Sequence, residues 1–223
     1  MEYDAPLTAG TLEKRYKRFL ADVRLDDGQR ITAHCPNTGS MMGCAEPGMR
    51  VWLSFSDRKG RKYAHTWEQV EVVGGARVGI HTGRTNRLVA EALADPRLVP
   101  EAAETGALRA EVNVPDEPMR ADFRLEGTGC FVEAKNVTAA VEDGVALFPD
   151  APSTRGVRHL EVLQRLAERG GPAMLVFCAQ RADVHEIRPA DAIDPAYGRA
   201  LRSALVAGVT VIGLGATPTA TGI

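Results

Sequence analysis

The 223-residue sequence predicts a mixed α/β chain built in two parts, a small antiparallel β-barrel over residues 1–75 and an α/β domain over residues 76–223. Three observations lead there. The first third consists of short strand-like runs broken by Asp-Gly and Lys-Gly turns, with no helical period. Gly74-Gly75 then marks a change of pattern, and beyond it apolar runs of strand length are mixed with apolar stripes at helical spacing. With 44% apolar and 25% charged residues the chain lies in the globular range and is long enough for one large or two small cores.

In the first part the expected strands are Tyr16 to Leu25, Arg30 to His34, Arg50 to Ser56 and Lys62 to Val73, with a tight turn at Asp26-Asp27-Gly28. A five-stranded barrel of this size is a common carrier of oligonucleotides. In the second part Thr85 or Asn86 can cap a helix that carries Leu88, Val89, Ala92 and Leu93 on one side and stops at Asp95-Pro96. Strands follow at Leu108 to Val114, Ala121 to Leu125 and Cys130 to Val137. A helix from Ser153 to Arg169 shows an apolar stripe of Val157, Leu160, Leu163, Leu166 and Ala167, and ends at Gly170-Gly171. Ala173 to Ala179 is apolar enough to be buried on both faces. Asp194-Pro195 opens a last helix to about Ala207, before a strand at Val209 to Leu214. The order from Thr85 is α-β-β-β-α-β-α-β.

Composition excludes some classes. No apolar run approaches the roughly 20 residues that span a bilayer, and Met1-Glu2-Tyr3-Asp4 lacks the basic-then-apolar pattern of a secretion signal, so no membrane partner and a cytoplasmic location are expected. Cys35, Cys44, Cys130 and Cys178 show no C-x-x-C pairing and read as core thiols. The set His34, Cys35, Cys44 and His65 lacks the ligand spacing of a zinc knuckle. The net charge of −2 does not by itself announce a nucleic-acid binder. Its distribution says more, because Lys14, Arg15, Lys17, Arg18, Arg30, Arg50, Arg58, Lys59, Arg61 and Lys62 crowd the first third, partly offset by acidic neighbours.

The chemistry-bearing pattern lies in the second part. Asp122 falls in one strand and Glu133-Ala134-Lys135 in the next, joined by a Glu126-Gly127-Thr128-Gly129 turn. Residues two apart share a strand face, so Glu133 and Lys135 point the same way, and antiparallel pairing brings Asp122 beside Glu133. Converging carboxylates raise each other's proton affinity unless a cation lies between them, which is why such pairs hold Mg²⁺ or Mn²⁺. An ammonium alongside orients the attacking water and offsets charge on the transition state. This D-x10-E-x-K spacing within α-β-β-β-α-β is the pattern of the PD-(D/E)xK nuclease fold. The plainer alternative is a solvated hairpin with a cross-strand ion pair. Glu91, on the preceding helix, is a candidate third metal ligand, and Glu111 a further carboxylate in reach.

Phe148 to Gly156 is an apolar, stiff loop that delivers Arg155 and His159 to a helix start, where anions are favoured and a phosphate clamp is one reading, a packed loop the other. The polar loop His34 to Met41 offers Asn37, Thr38 and Ser40 as donors to phosphate, or serves as a structural turn. Candidate DNA contacts are therefore Arg15, Lys17, Arg18, Asn37, Thr38, Ser40, Lys62, Arg155 and His159. Tyr16, Phe19, Trp52, Tyr63 and Trp67 are candidate stacking platforms, most of them expected in the core.

Several strings together resemble the sugar fermentation stimulation protein A family: Arg15-Tyr16-Lys17-Arg18-Phe19 with Ala21-Asp22-Val23, the His34 to Met41 loop, Arg61-Lys62-Tyr63, the Asn86 to Leu93 helix, Met119-Arg120-Ala121-Asp122-Phe123, Val132 to Thr138, and Phe148 to Ala151 through Arg155-Gly156 to His159-Leu160. They are collinear and span about Arg15 to Gly208. The resemblance implies an N-terminal oligonucleotide-binding (OB) type barrel, a C-terminal nuclease-like domain, DNA binding and a link to regulation of sugar metabolism. It also implies that Asp122, Glu133 and Lys135 hold the family's metal and catalytic positions. Where the family commonly has Ser-Arg before the aspartate, this chain has Arg120-Ala121, and Glu-Val-Lys reads Glu133-Ala134-Lys135. The expectations are a DNA-binding, metal-dependent phosphodiesterase; a non-catalytic DNA-binding regulator on a nuclease scaffold; or a metabolic or interaction module. DNA binding is expected to be backbone-led and weakly sequence-selective. A symmetric homodimer would add the basic charge of two barrels, without a residue-level mark of its interface.

Overall fold

The computed structural model describes residues 1–102, 106–139 and 144–223. The chain begins with a barrel. Strands β1 (Thr8–Tyr16), β2 (Leu20–Leu25), β3 (Arg30–His34), β4 (Arg50–Phe55), β5 (His65–Glu71) and β6 (Arg77–Gly79) line up in the order β3-β2-β1-β4-β5-β6. His34 at the end of β3 also pairs with Thr66 of β5, which closes five strands into a barrel. Leu12, Val23, Val51, Leu53, Trp67 and Val70 fill it.

Two barrel strands escape the sequence pattern. Thr8–Tyr16 buries only Gly10 and Leu12 and bulges between Leu12 and Lys14, so no regular alternation marks it. Tyr16 closes this strand, and does not open the next as expected from the sequence. Lys17 and Arg18 take left-handed backbone, at φ 51° and 66°, and turn the chain into β2. β6, three residues long, lies beyond Gly74-Gly75 and pairs with β5.

The second part begins with a 3-10 turn, Thr82–Arg84, that runs into α1 (Thr85–Leu93), which buries Leu88, Val89, Ala92 and Leu93. Neither Thr85 nor Asn86 caps it: Arg84 occupies the cap position without a side-chain bond. Then come β7 (Leu108–Asn113), β8 (Arg120–Leu125), β9 (Cys130–Val137), β10 (Val145–Phe148), α2 (Thr154–Glu168), β11 (Ala173–Ala179), β12 (Glu186–Pro189), α3 (Pro195–Val206) and β13 (Thr210–Gly215). The sheet order is β13-β11-β9-β8-β7, parallel across β13, β11 and β9 and antiparallel from β9 to β7. Every residue of β11, its second strand, is buried, as a strand covered on both faces must be. β10 and β12 form a separate two-stranded parallel ladder. Four residues each, they pair only with one another across a long sequence separation, so the local pattern hides them.

Both long helices start as the caps predict. The Ser153 hydroxyl accepts from the Gly156 N–H, and Asp194 accepts from the Tyr197 N–H with Pro195 in the first turn. Asp194 also accepts from the Ser153 N–H at 2.7 Å, so one carboxylate fastens the starts of α2 and α3 together. Among the described residues no helix is long and apolar enough to cross a membrane.

The barrel and the sheet domain share a seam. Thr82 donates to the Pro36 carbonyl at 2.8 Å, and Arg84 holds the buried Glu68 through two bonds of 2.8 and 3.1 Å. Asp150 accepts from the Ser40 hydroxyl and the Met41 N–H.

Candidate active site

β8 and β9 pair with Phe123 opposite Val132, a register that brings Asp122 to face Glu133. There the ladder opens, and the Ala134 N–H bonds to Asp122 Oδ2 at 2.8 Å. Asn86, at the start of α1, donates to Asp122 Oδ1 at 2.9 Å. Both oxygens are thereby aimed, and each keeps a lone pair.

Glu133 is 4% exposed. Its Oε1 receives Lys135 Nζ at 2.6 Å and His159 Nδ1 at 2.5 Å, whereas Oε2 is buried with no partner among the described residues. Arg155 Nε donates to His159 Nε2 at 3.3 Å, which assigns the histidine proton to Nδ1. The result is a chain of polar contacts, Arg155 to His159 to Glu133 to Lys135. Burial, and then the charge of Glu133, raise the pKa of Asp122. Burial pushes Glu133 the same way, but the His159 hydrogen bond and the Lys135 ammonium outweigh it and hold that carboxyl below its ordinary value. The two carboxyls of the pair thus differ in proton affinity, a division typical of sites that handle protons or cations.

A shell behind the pair fixes β9. Gln180 Nε2 donates to Asn136 Oδ1 at 2.7 Å and Thr85 Oγ1 at 3.1 Å, and Thr85 donates to Asn136 at 2.9 Å. The Tyr197 hydroxyl, wholly buried on α3, has no partner among the described residues, and burial together with the Glu133 charge raises its pKa. Sequence reasoning missed both Asn86 and Tyr197. Asn86 reads as a cap, and Tyr197 as one more apolar residue of its helix.

The structure corrects other placements. Glu91 lies about 140° round and roughly 7.5 Å along the helix from Asn86. It pairs with the Met1 ammonium at 3.0 Å and with Arg87 at 3.3 Å, so α1 presents Asn86 to the pair and Glu91 is not a third ligand. Glu111 pairs with Arg120 at 3.0 Å. Among the described residues no group of three or more His, Cys, Asp or Glu side chains converges in metal-holding geometry, and the site offers two carboxylates.

In the barrel, Arg15 sends its guanidinium to the carbonyls of Arg18, Asn37, Gly39 and Ser40, and so holds the loop from inside. Asn37 is 3% exposed, and its side chain accepts from the Gly39 N–H. The Ser40 hydroxyl is engaged by Asp150. All three are engaged in building the loop: Asn37 is buried, Arg15 half-buried, and Ser40, though exposed, is taken up by Asp150. Arg18 Nε holds the Thr38 carbonyl, while Lys17, Thr38 and Lys62 are exposed. Trp67 is core, and Arg77 covers Trp52 at 4.0 Å, so neither is free to stack.

These features define a class, an OB-type barrel joined to a mixed α/β domain whose central hairpin brings Asp, Glu and Lys together. Two family profiles match the chain, the SfsA N-terminal OB domain over residues 14–80 and the sugar fermentation stimulation protein RE domain over residues 83–222. The sugar fermentation stimulation protein homolog of Halorhodospira halophila is 59% identical, covering 100% of this chain and 94% of that relative. Its counterpart in Pseudomonas paraeruginosa is 47% identical over 100% of this chain and 96% of the relative. The chain belongs to the sugar fermentation stimulation protein family. The solved structure of Pyrococcus furiosus SfsA in complex with Ca²⁺ superposes with a TM-score of 0.85 at 28% identity, covering 100% of this chain and 94% of the other.

Proposed function

We propose that the protein binds DNA through its backbone, with little sequence preference, and cleaves phosphodiester bonds with Mg²⁺ or Mn²⁺ at Asp122 and Glu133. The observation that carries this is Glu133 Oε2, a buried carboxylate oxygen with no partner among the described residues, beside a second aimed carboxylate and a lysine. A buried acceptor of that kind is costly unless something meets it, and two carboxylates with water and phosphate oxygens make an ordinary Mg²⁺ set. The Ca²⁺ complex of the archaeal relative supports a hard divalent cation here. Bound, such an ion polarises the phosphodiester and acidifies a water.

The chain's own residues do the rest. Asn86 and the Ala134 N–H aim Asp122; His159 and Lys135 keep Glu133 charged. Lys135, 13% exposed at the rim of the pair, orients water and offsets charge on the phosphorane-like transition state. Arg155, exposed in the first turn of α2, can meet a phosphate there. His159 reads better as the support of Glu133 than as a DNA contact.

Two observations favour a second reading, a non-catalytic DNA-binding regulator: among the described residues only two carboxylates gather, and Lys135 is already engaged by one of them. Cleavage of labelled DNA with Mg²⁺ or Mn²⁺, by the wild type and by Asp122→Asn and Lys135→Gln, decides between them when binding and folding are followed in parallel. Cleavage lost in both variants with binding kept supports the nuclease. Binding by the wild type without metal-dependent cleavage supports the regulator.

A further inference from the structure

Strand directions place three segments at one end of the barrel. β1 ends at Tyr16 opposite Leu20, β3 ends at His34 opposite Leu20 and Thr66, and β4 ends at Phe55 opposite His65. The β1–β2 turn, the His34–Met41 loop and the β4–β5 loop therefore emerge together. We propose that this end grips an unpaired stretch of nucleic acid, a proposal that rests on the DNA-binding reading and narrows it to a substrate class.

Two phenyl rings stand out in solvent there, Phe19 at 45% exposure in the first turn and Phe55 at 59% at the start of the β4–β5 loop. Each has cations beside it. Lys17 and Arg18 precede Phe19; Arg58, Lys59, Arg61 and Lys62 follow Phe55, with Asp57 as the opposing charge of that loop. His65 lies 5.2 Å from Phe55, ring to ring, and extends that aromatic surface. The first turn is held in unusual backbone, left-handed at both Lys17 and Arg18, by the Arg15 and Arg18 bonds to loop carbonyls. Strain of this kind collects at working surfaces.

Cations alone suit any phosphate backbone, but exposed phenyl rings gain nothing from the outside of a duplex, where base faces are hidden. Unpaired bases stack on them. The same end also leads to the carboxylate pair by short contacts: Pro36 to Thr82 at 2.8 Å, then along the start of α1 to Asn86 and Asp122 at 2.9 Å. A strand gripped at the loops is thereby directed along the seam toward the hairpin.

Fluorescence anisotropy with labelled oligothymidylate, oligouridylate and a duplex tests this, using wild type, Phe19→Ala, Phe55→Ala and Arg58→Ala/Lys59→Ala at several salt concentrations. Both rings are exposed, so the variants keep the fold, which thermal melts check. The expected result is tighter binding of single strands than of duplex, a roughly five- to hundredfold loss on single strands for each phenyl variant, and no change on duplex. The cation variant weakens every nucleic acid and flattens the salt dependence. Preference for DNA or RNA, or equal binding of both, supports the grip and identifies the sugar. Duplex bound as tightly as single strands, or equal loss on both with the phenyl variants, overturns the proposal while DNA binding stands. A wild type that binds no nucleic acid overturns the reading beneath it.

Discussion

Lys135→Met is expected to cost about 3 kcal/mol at pH 7, the lower end of the range for removing one partner of a buried ion pair. The pair is 2.6 Å apart, with side chains 13% and 5% exposed, and the lower end applies because His159 still holds Glu133. In the wild type the folded pKa of Glu133 lies below its unfolded value, near 4.3. Its charged form therefore adds stability above that pH, and the contribution is lost as pH falls through the lowered folded value. Without the ammonium, burial works against a carboxylate held by His159 alone and the folded value moves up. The cost of the substitution is then full at pH 7 and shrinks as pH falls toward and below the unfolded value. Urea melts at pH 7 and pH 4.5 measure it, with a Tm drop of roughly 6–12 °C at neutral pH as a second readout. In a Glu133→Gln background the same substitution should cost less than about 1 kcal/mol, because no buried charge is left unpaired. A loss under about 0.5 kcal/mol, or an equal loss at both pH values, would refute the account of Glu133 as a buried, charge-compensated carboxylate.

Asp194→Ala should destabilise by about 1 kcal/mol, since Asp194 caps α3 and takes the Ser153 N–H, bonds that hold its pKa low. Because the folded value is depressed, the difference from wild type should be present above about pH 4 and vanish as the carboxyl protonates in acid, in chemical melts across that range. Asp150→Ala should raise amide exchange at Met41 and cost roughly 1 kcal/mol, the joint between loop and sheet domain being lost; unchanged exchange would show the contact to be idle. Gly79→Ala should cost roughly 1–3 kcal/mol by thermal melt, because its Cβ would lie 2.5 Å from Gln180 Oε1 and 2.9 Å from Gln180 Cβ, displacing the side chain that braces Asn136.

How much the sequence discloses depends on range. The helices announce themselves through periodic stripes and through Ser153 and Asp194, whose capping is local. The hairpin of Asp122 and Glu133 is legible because its turn lies between its strands. β1 is not legible, since a bulge breaks its alternation, and β10 and β12 are not, since each needs a distant partner. At the site, residue type and spacing mark Asp122, Glu133 and Lys135. They do not show that α1 offers Asn86 in place of Glu91, because that depends on which side of the helix packs against β9 and β11. Arg15 misleads for a related reason. A guanidinium in a basic run resembles a phosphate contact until the loop carbonyls it holds are seen.

The His34–Met41 loop is fastened from both sides, by Arg15 and Arg18 within the barrel and by Thr82 and Asp150 from the sheet domain. A span tied at both ends behaves as a ruler. If a strand is held at the barrel and cut at the hairpin, the distance between grip and cut is set by the protein, and products should end at a constant offset from the anchored stretch, whatever their sequence.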